Sequence, residues 1–234
     1  AKRHIKRSGA NIGDKIYVTG NLGDSACGLE LLKKIRRPVP IESITLEQQS
    51  AVSSQQSNLP ESPHTPLFQR GAEGDFKGGY GGITKSELRT LNSKLSRLGL
   101  SWCDIEPLLR RHIMPEARDP KKFIKNATSM IDISDGLLID LSRLCDESKV
   151  GARIYLENIP VSSELKKASS HLGISPIKLA LSGGEDYELL FTTPAEKKAK
   201  AIYIGDITES KRVIVDISGR EKTFSAEGYQ HFCV

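Results

Sequence analysis

Apolar positions along the chain change their period several times, and each change predicts an element. Residues 15–19, Lys-Ile-Tyr-Val-Thr, follow the Gly13-Asp14 turn and are β-branched and aromatic, which predicts a buried strand. Glycines at 20 and 23 make a flexible link, after which Asp24 or Ser25 can cap a helix reaching about Lys34 with Leu29 and Leu32 on its buried side. From 36 to 82 the periodicity is lost to Gln, Ser, Pro and Gly. Such a stretch buries too little apolar area to offset the entropy of ordering it, so it predicts a disordered, low-complexity insertion. Helical period returns over 84–98, with Thr84 and Glu87 as a capping-box pair, a stripe of Leu88, Leu91, Leu95 and Leu98, and Gly99 as the stop. A second short helix is expected around 105–113, ending before Pro115.

The remainder alternates. Strands are predicted at 129–133, 152–156, 187–192, 201–204 and 212–216, with helices at 136–145 and 164–172 and a third opened by Ser175-Pro176. This order implies an α/β or α+β sandwich. Its parts are 1–35 and 106–234, with 36–105 inserted between them.

Composition narrows the picture. At 234 residues with 38% hydrophobic side chains and 20 glycines, the chain supports one core together with long polar stretches. No apolar run nears the roughly 18 residues of a membrane span, and the basic start Lys2, Arg3, Lys6, Arg7 is not followed by a leader's apolar segment. A cytoplasmic protein with no membrane partner is expected. The excess of 34 Lys+Arg over 29 Asp+Glu gives a modest +5. Short basic clusters, as at 33–37 and 197–200, lack interleaved aromatics, which points away from nucleic acid and toward solvated faces or attraction for a phosphorylated small molecule. The four cysteines show neither paired-ligand spacing nor a compact framework, so reduced structural thiols are expected.

Two stretches carry chemistry. In Met130-Ile131-Asp132-Ile133-Ser134-Asp135-Gly136-Leu137, Asp132 ends an apolar strand and Asp135 lies at the start of a helix. Two carboxylates held close together need a cation or hydrogen bonds, and hard oxygens beside a helix N-terminus suit Mg²⁺ holding a polyphosphate. Equally, Ser134 or Asp135 could simply cap the helix while Asp132 caps a neighbouring loop. In Leu181-Ser182-Gly183-Gly184-Glu185-Asp186-Tyr187-Glu188, a glycine turn leads into a strand whose first residues are three acids around one tyrosine. Those acids could face solvent or grip a cationic ligand. The glycine-rich 79–86 imitates a phosphate loop, but Thr84 replaces the glycine required before the lysine and no apolar strand precedes it.

Taken in order, RSGANIGDKIYVTGNLGDSACGLELL, RRHIMPEAR, MIDISDGLLIDLSRLC, GARIYLENIP, ALSGGEDYELLFTTP, IGDIT and GYQHF resemble the C-terminal half of the thiamine-monophosphate kinase family, in the superfamily of aminoimidazole ribonucleotide synthetase and selenophosphate synthetase. The resemblance implies the C-terminal domain of that fold, a mixed sheet covered by helices. It implies ATP-dependent phosphorylation of thiamine monophosphate with Mg²⁺. Asp132 and Asp135 would bind Mg²⁺, Arg7 and Ser134 would contact ATP, and Glu185 and Tyr229 would line the thiamine site. No covalent protein nucleophile is implied, since phosphoryl transfer rests on positioning and charge neutralisation. The family's N-terminal half, with further metal-binding aspartates and much of the nucleotide site, has no counterpart in this sequence, so the site would be incomplete and the chain inactive alone. A homodimer is expected for the complete enzyme. The insertion and a shortened 194–203 segment also depart from the family. Another ATP-using member of the superfamily, or a non-catalytic binding or dimerisation remnant, are the alternative readings.

Overall fold

The computed structural model describes residues 4–35, 99–123 and 125–224. The polar stretch 36–82, the helix expected over 84–98, and Tyr229 lie outside the described residues. In chain order the elements are β1 (Lys15–Val18), α1 (Asp24–Ile35), α2 (Trp102–Ile113), β2 (Ser129–Asp132), α3 (Leu137–Ser148), β3 (Gly151–Tyr155), α4 (Ser163–Leu172), α5 (Pro176–Ser182), β4 (Leu189–Thr193), β5 (Ile202–Thr208), β6 (Arg212–Val215) and β7 (Glu221–Thr223).

The strands form one sheet in the order β2-β4-β1-β5-β3-β6-β7, antiparallel except for the β3–β6 pair. This is the expected mixed sheet. β1 lies inside it, with Val18 opposite Leu190 of β4 and Ile202 of β5, and a register shift between Ile16 and Tyr17 on the β5 side. Alternation along the strands sends Ile16, Val18, Ile131, Leu190, Ala152, Ile154 and Ile204 into one core with Leu137, Leu138, Leu141 and Leu144 of α3 and Ala180 and Leu181 of α5. On the opposite face Tyr17 stacks on Phe191 with ring centroids 5.7 Å apart, and Phe123 packs on Phe191 at 5.0 Å.

α1, α2 and α4 build a second apolar cluster from Cys27, Leu31, Ile105, Leu108, Leu109 and Leu165. Here the expected helix face is corrected: Leu29 is exposed, Leu32 is only partly buried, and the buried side carries Cys27 and Leu31. The cause is Gly28, where a Cβ would lie 2.3 Å from the Leu108 carbonyl oxygen. The two helices approach along the residue without a side chain, which turns Leu29 outward. α2 begins three residues earlier than expected, and Leu100 just before it is buried.

Two further corrections concern strands. β4 begins at Leu189, not at 187, because Glu185 and Tyr187 adopt φ of +64° and +51° and cannot continue a ladder. β5 runs on to Thr208, and the short hairpin strand β7 had no signal in the sequence. The shortened 194–203 segment leaves the sheet intact, since β5 still pairs with both β1 and β3. The expected opening of α5 by Ser175-Pro176 is present, and α4 is capped by Ser162, which accepts from the Leu165 amide at 3.0 Å. No helix among the described residues is long and apolar enough to cross a membrane.

Candidate functional site

The two acidic motifs lie against each other where β2 ends and β4 begins. Beyond the ladder between these strands, the Ile133 amide donates to the Glu188 carbonyl at 2.8 Å, the Tyr187 amide to Ile133 at 2.9 Å, and the Glu185 amide to Ser134 at 2.7 Å. A Cβ on Gly184 would stand 2.6 Å from the Ser134 oxygen, so glycine is what admits this approach. Ser134 and Asp135 are thereby brought beside Gly184 and Glu185.

The start of α3 is capped by a residue that the sequence reading passed over. Gly136 occupies the cap position with no side chain, and neither Ser134 nor Asp135 caps the helix. Instead Asp140, fully buried in the first turn, turns Oδ2 back onto the amides of Ser134 at 3.0 Å, Asp135 at 2.9 Å and Gly136 at 3.2 Å. Its Oδ1 accepts from Arg143 at 2.8 Å, and the same guanidinium nitrogen donates to Asp135. Burial raises the Asp140 carboxyl above the ordinary carboxylate range, opposed by the Asp135 and Ser134 amides and by Arg143. Asp140 thus takes the cap amide of Gly136 and the two loop amides before it, so the turn carrying Ser134 and Asp135 is held from inside the fold. An Asp four residues after the helix-start glycine, inside the apolar run Leu137-Leu138-Ile139, was the available sequence signal.

The three acids of the second motif part company. Asp186 is buried and caps α1 from 163 residues away, accepting from the Gly23 amide at 2.7 Å and the Ser25 amide at 3.2 Å. The cap expected from Asp24 or Ser25 thus comes from Asp186. Burial pushes the Asp186 carboxyl up to about 7 despite those two amides. Glu188 is also buried and accepts from Arg118 Nε at 2.8 Å and Nη2 at 2.7 Å, with further bonds from Arg111 and the Thr19 hydroxyl. Burial alone would raise Glu188; the bonds from Arg118, Thr19 and Arg111 together outweigh it and hold the carboxyl below its usual range. Only Glu185 is exposed, which corrects the reading of three solvent-facing acids. The buried pair flanks the left-handed Tyr187, with Asp186 between the two left-handed residues, and leaves Glu185 pointing outward.

The other sequence-derived site residues are placed as follows. Asp132 is exposed at the end of β2 and Asp135 is partly buried. Among the described residues, no group of three or more His, Cys, Asp or Glu side chains is gathered as a metal cage. Arg7 is exposed, its segment running beside β2 with Lys6 accepting from the Met130 amide at 3.0 Å. The Arg7 carbonyl and the Gly9 and Ala10 amides bond the Ser148 hydroxyl at the far end of α3. Among the described residues no hydrogen bond joins the Arg7 side chain to Ser134 or Asp135. Tyr229 lies outside the described residues.

Residues 97–218, a span containing both motifs, match the family described as AIR synthase related protein, C-terminal domain. Across 99% of its length the chain is 31% identical to the thiamine-monophosphate kinase of Aquifex aeolicus, covering 56% of that protein. It is 30% identical to the thiamine-monophosphate kinase of Salmonella typhimurium over 99% of this chain and 56% of the relative. The structure of AaThiL complexed with AMPPCP and TMP is similar with a TM-score of 0.60 at 28% identity, over 99% of this chain and 55% of that one. The chain therefore spans about half the length of the curated relatives it matches. With the matched domain covering half of the chain, and its two motifs joined main chain to main chain at the sheet end, this protein belongs to the AIR synthase related family and carries its C-terminal domain.

Proposed function

We propose that this chain is the C-terminal portion of an ATP-dependent kinase that converts thiamine monophosphate to thiamine diphosphate in the cytoplasm. The observation that carries the reading is the edge-to-edge docking of the two motifs, with the Glu185 amide on the Ser134 carbonyl at 2.7 Å. It sets the metal and nucleotide candidates Asp132, Ser134 and Asp135 beside the substrate candidate Glu185. Both ligands named for the AaThiL complex, AMPPCP and TMP, fit that division of labour.

In this reading Asp132 and Asp135 contribute oxygen ligands to Mg²⁺. Their chemistry fits a hard cation, and two carboxylates supply part of the six ligands it takes. Asp135, now paired with Arg143, would offer its carboxylate to the ion. When bound, the metal neutralises charge on the transferring phosphoryl group. Ser134 and Arg7 contact ATP, while the exposed carboxylate of Glu185, together with Tyr229, faces the cationic thiazolium, for which an anion and an aromatic ring are suitable partners. A further N-terminal portion supplies the remaining metal and nucleotide ligands, and the complete enzyme is a homodimer.

The test is a chimera joining the part of the Aquifex aeolicus enzyme outside the matched region to this chain. ATP- and Mg²⁺-dependent formation of thiamine diphosphate is expected from the chimera and not from the 234-residue chain alone. A folded chimera that binds AMPPCP yet forms no thiamine diphosphate would overturn the reading.

A further inference from the structure

The Glu185 main chain is fixed by its own turn, while its side chain depends on a single neighbour among the described residues. The backbone holds φ of +64°, a left-handed conformation that a non-glycine residue adopts only when its surroundings hold it there. It is secured by the hydrogen bond that the Glu185 amide donates to the Ser134 carbonyl. The carboxylate itself is 55% exposed and has one ion-pair partner among the described residues, Nδ1 of His112 at 3.2 Å. His112 sits in the last turn of α2, 18% exposed at its side chain, and the same Nδ1 lies 3.1 Å from the hydroxyl of the fully buried Ser25. Ser25 in turn gives its amide to Asp186. A line of contacts therefore runs from the buried Asp186 through Ser25 and His112 to Glu185.

The chemistry of this line is restrictive. A carboxylate only accepts, so the contact attracts only when Nδ1 carries the proton. The Ser25 hydroxyl, which could otherwise donate to a bare Nδ1, then accepts or turns away. From this geometry we propose that His112 is a positioning residue, whose Nδ1–H orients Glu185 for a cationic ligand. The role in recognition rests on the reading of Glu185 as the carboxylate facing thiamine monophosphate. The link between the two side chains rests on geometry alone. Without His112 the glutamate keeps its backbone but regains its rotamers, and ordering one such side chain on binding weakens affinity roughly two- to tenfold.

Two measurements test the proposal. In the ligand-free chain above neutral pH, nitrogen-15 NMR of the His112 ring is expected to find Nδ1 protonated. In Glu185→Ala it is expected to become a bare acceptor of the Ser25 hydroxyl. An unprotonated Nδ1 in the wild type, or a ring unchanged by Glu185→Ala, would overturn the link. Because the remaining ligands of the proposed site come from the N-terminal portion, calorimetry with thiamine monophosphate is made on the chimera described above. His112→Ala is expected to weaken binding several-fold. His112→Asn, whose Nδ2 stands where Nδ1 did, is expected to restore it, and His112→Gln, one bond longer, is not. Unaltered binding in His112→Ala would overturn the positioning role. A wild type with the protonated Nδ1 but no affinity for thiamine monophosphate would support the link and reject the substrate reading of Glu185.

Discussion

The Oδ2 of Asp140 accepts the Asp135 amide at 2.9 Å, so one carboxylate proposed to hold metal is positioned by another that never leaves the interior. Asp140→Ala strips an acceptor from three amides at once. Leaving buried donors unpaired costs about 1–3 kcal/mol each, and water reaches the partly exposed Ser134 and Asp135, so a net loss of about 3 kcal/mol is expected. Asp140→Asn keeps one acceptor oxygen and should lose less. Urea midpoints compare the two, and equal stability of Asp140→Ala with the wild type would contradict the capping role.

Asp186 makes a prediction about pH. Its folded carboxyl titrates near 7 because burial disfavours the charged form, whereas the unfolded carboxyl ionises near 4. Between these values the native state holds a proton that the unfolded state has lost, so Asp186 contributes stability below about 4 that disappears as pH rises through about 7. Asp24 and Asp140, both raised by burial, act in the same sense, while Glu188 and Asp206, both lowered, act oppositely at more acid pH. Asp186→Asn should therefore flatten the fall in stability between pH 5 and pH 8, read from denaturation midpoints. An identical slope in the variant would count against a raised Asp186.

Gly28 sets the spacing of α1 and α2. Alanine gains up to about 1 kcal/mol of helix propensity there. Its Cβ, however, meets the Leu108 main chain at 2.3 Å, and backbone cannot yield as a flexible side chain does. Overpacking of this kind typically costs about 1–3 kcal/mol, and a net loss of about 1 kcal/mol is expected for Gly28→Ala. Thermal unfolding checks it; a raised midpoint would mean that the helices are farther apart.

Within the active chimera, Asp135→Asn and Glu185→Gln should separate metal from substrate. Asparagine matches the size of Asp135 but lacks the charge a hard cation needs. Loss of several kcal/mol of charge stabilisation corresponds to a rate decrease on the order of a hundredfold or more. Glu185→Gln should raise KM for thiamine monophosphate more than KM for ATP. Steady-state constants across a Mg²⁺ series decide between outcomes: full activity in Asp135→Asn rejects the metal role, and a defect confined to ATP in Glu185→Gln rejects the thiamine role.

What the sequence determined by itself was local. The β-branched Lys15–Val18 run, Ser175-Pro176 before α5 and the alternation of strands with helices each state a preference that neighbouring residues satisfy, and those elements stand where expected. The two acidic motifs stood out for the same reason, since carboxylates at a strand end are costly without partners. Tertiary structure decided which carboxylates stay inside. Gly23 and Asp186 are 163 residues apart, and nothing near either announces that one caps the other's helix. Glu188 reads as an exposed strand-entry acid until Arg111 and Arg118 close over it. Leu29 belongs to a helical stripe until Gly28 admits Leu108 and rotates it away. In each case a local preference was overruled by a partner distant in sequence, because burying a charge or a helix face depends on what fills the space opposite, and only the fold brings that partner in.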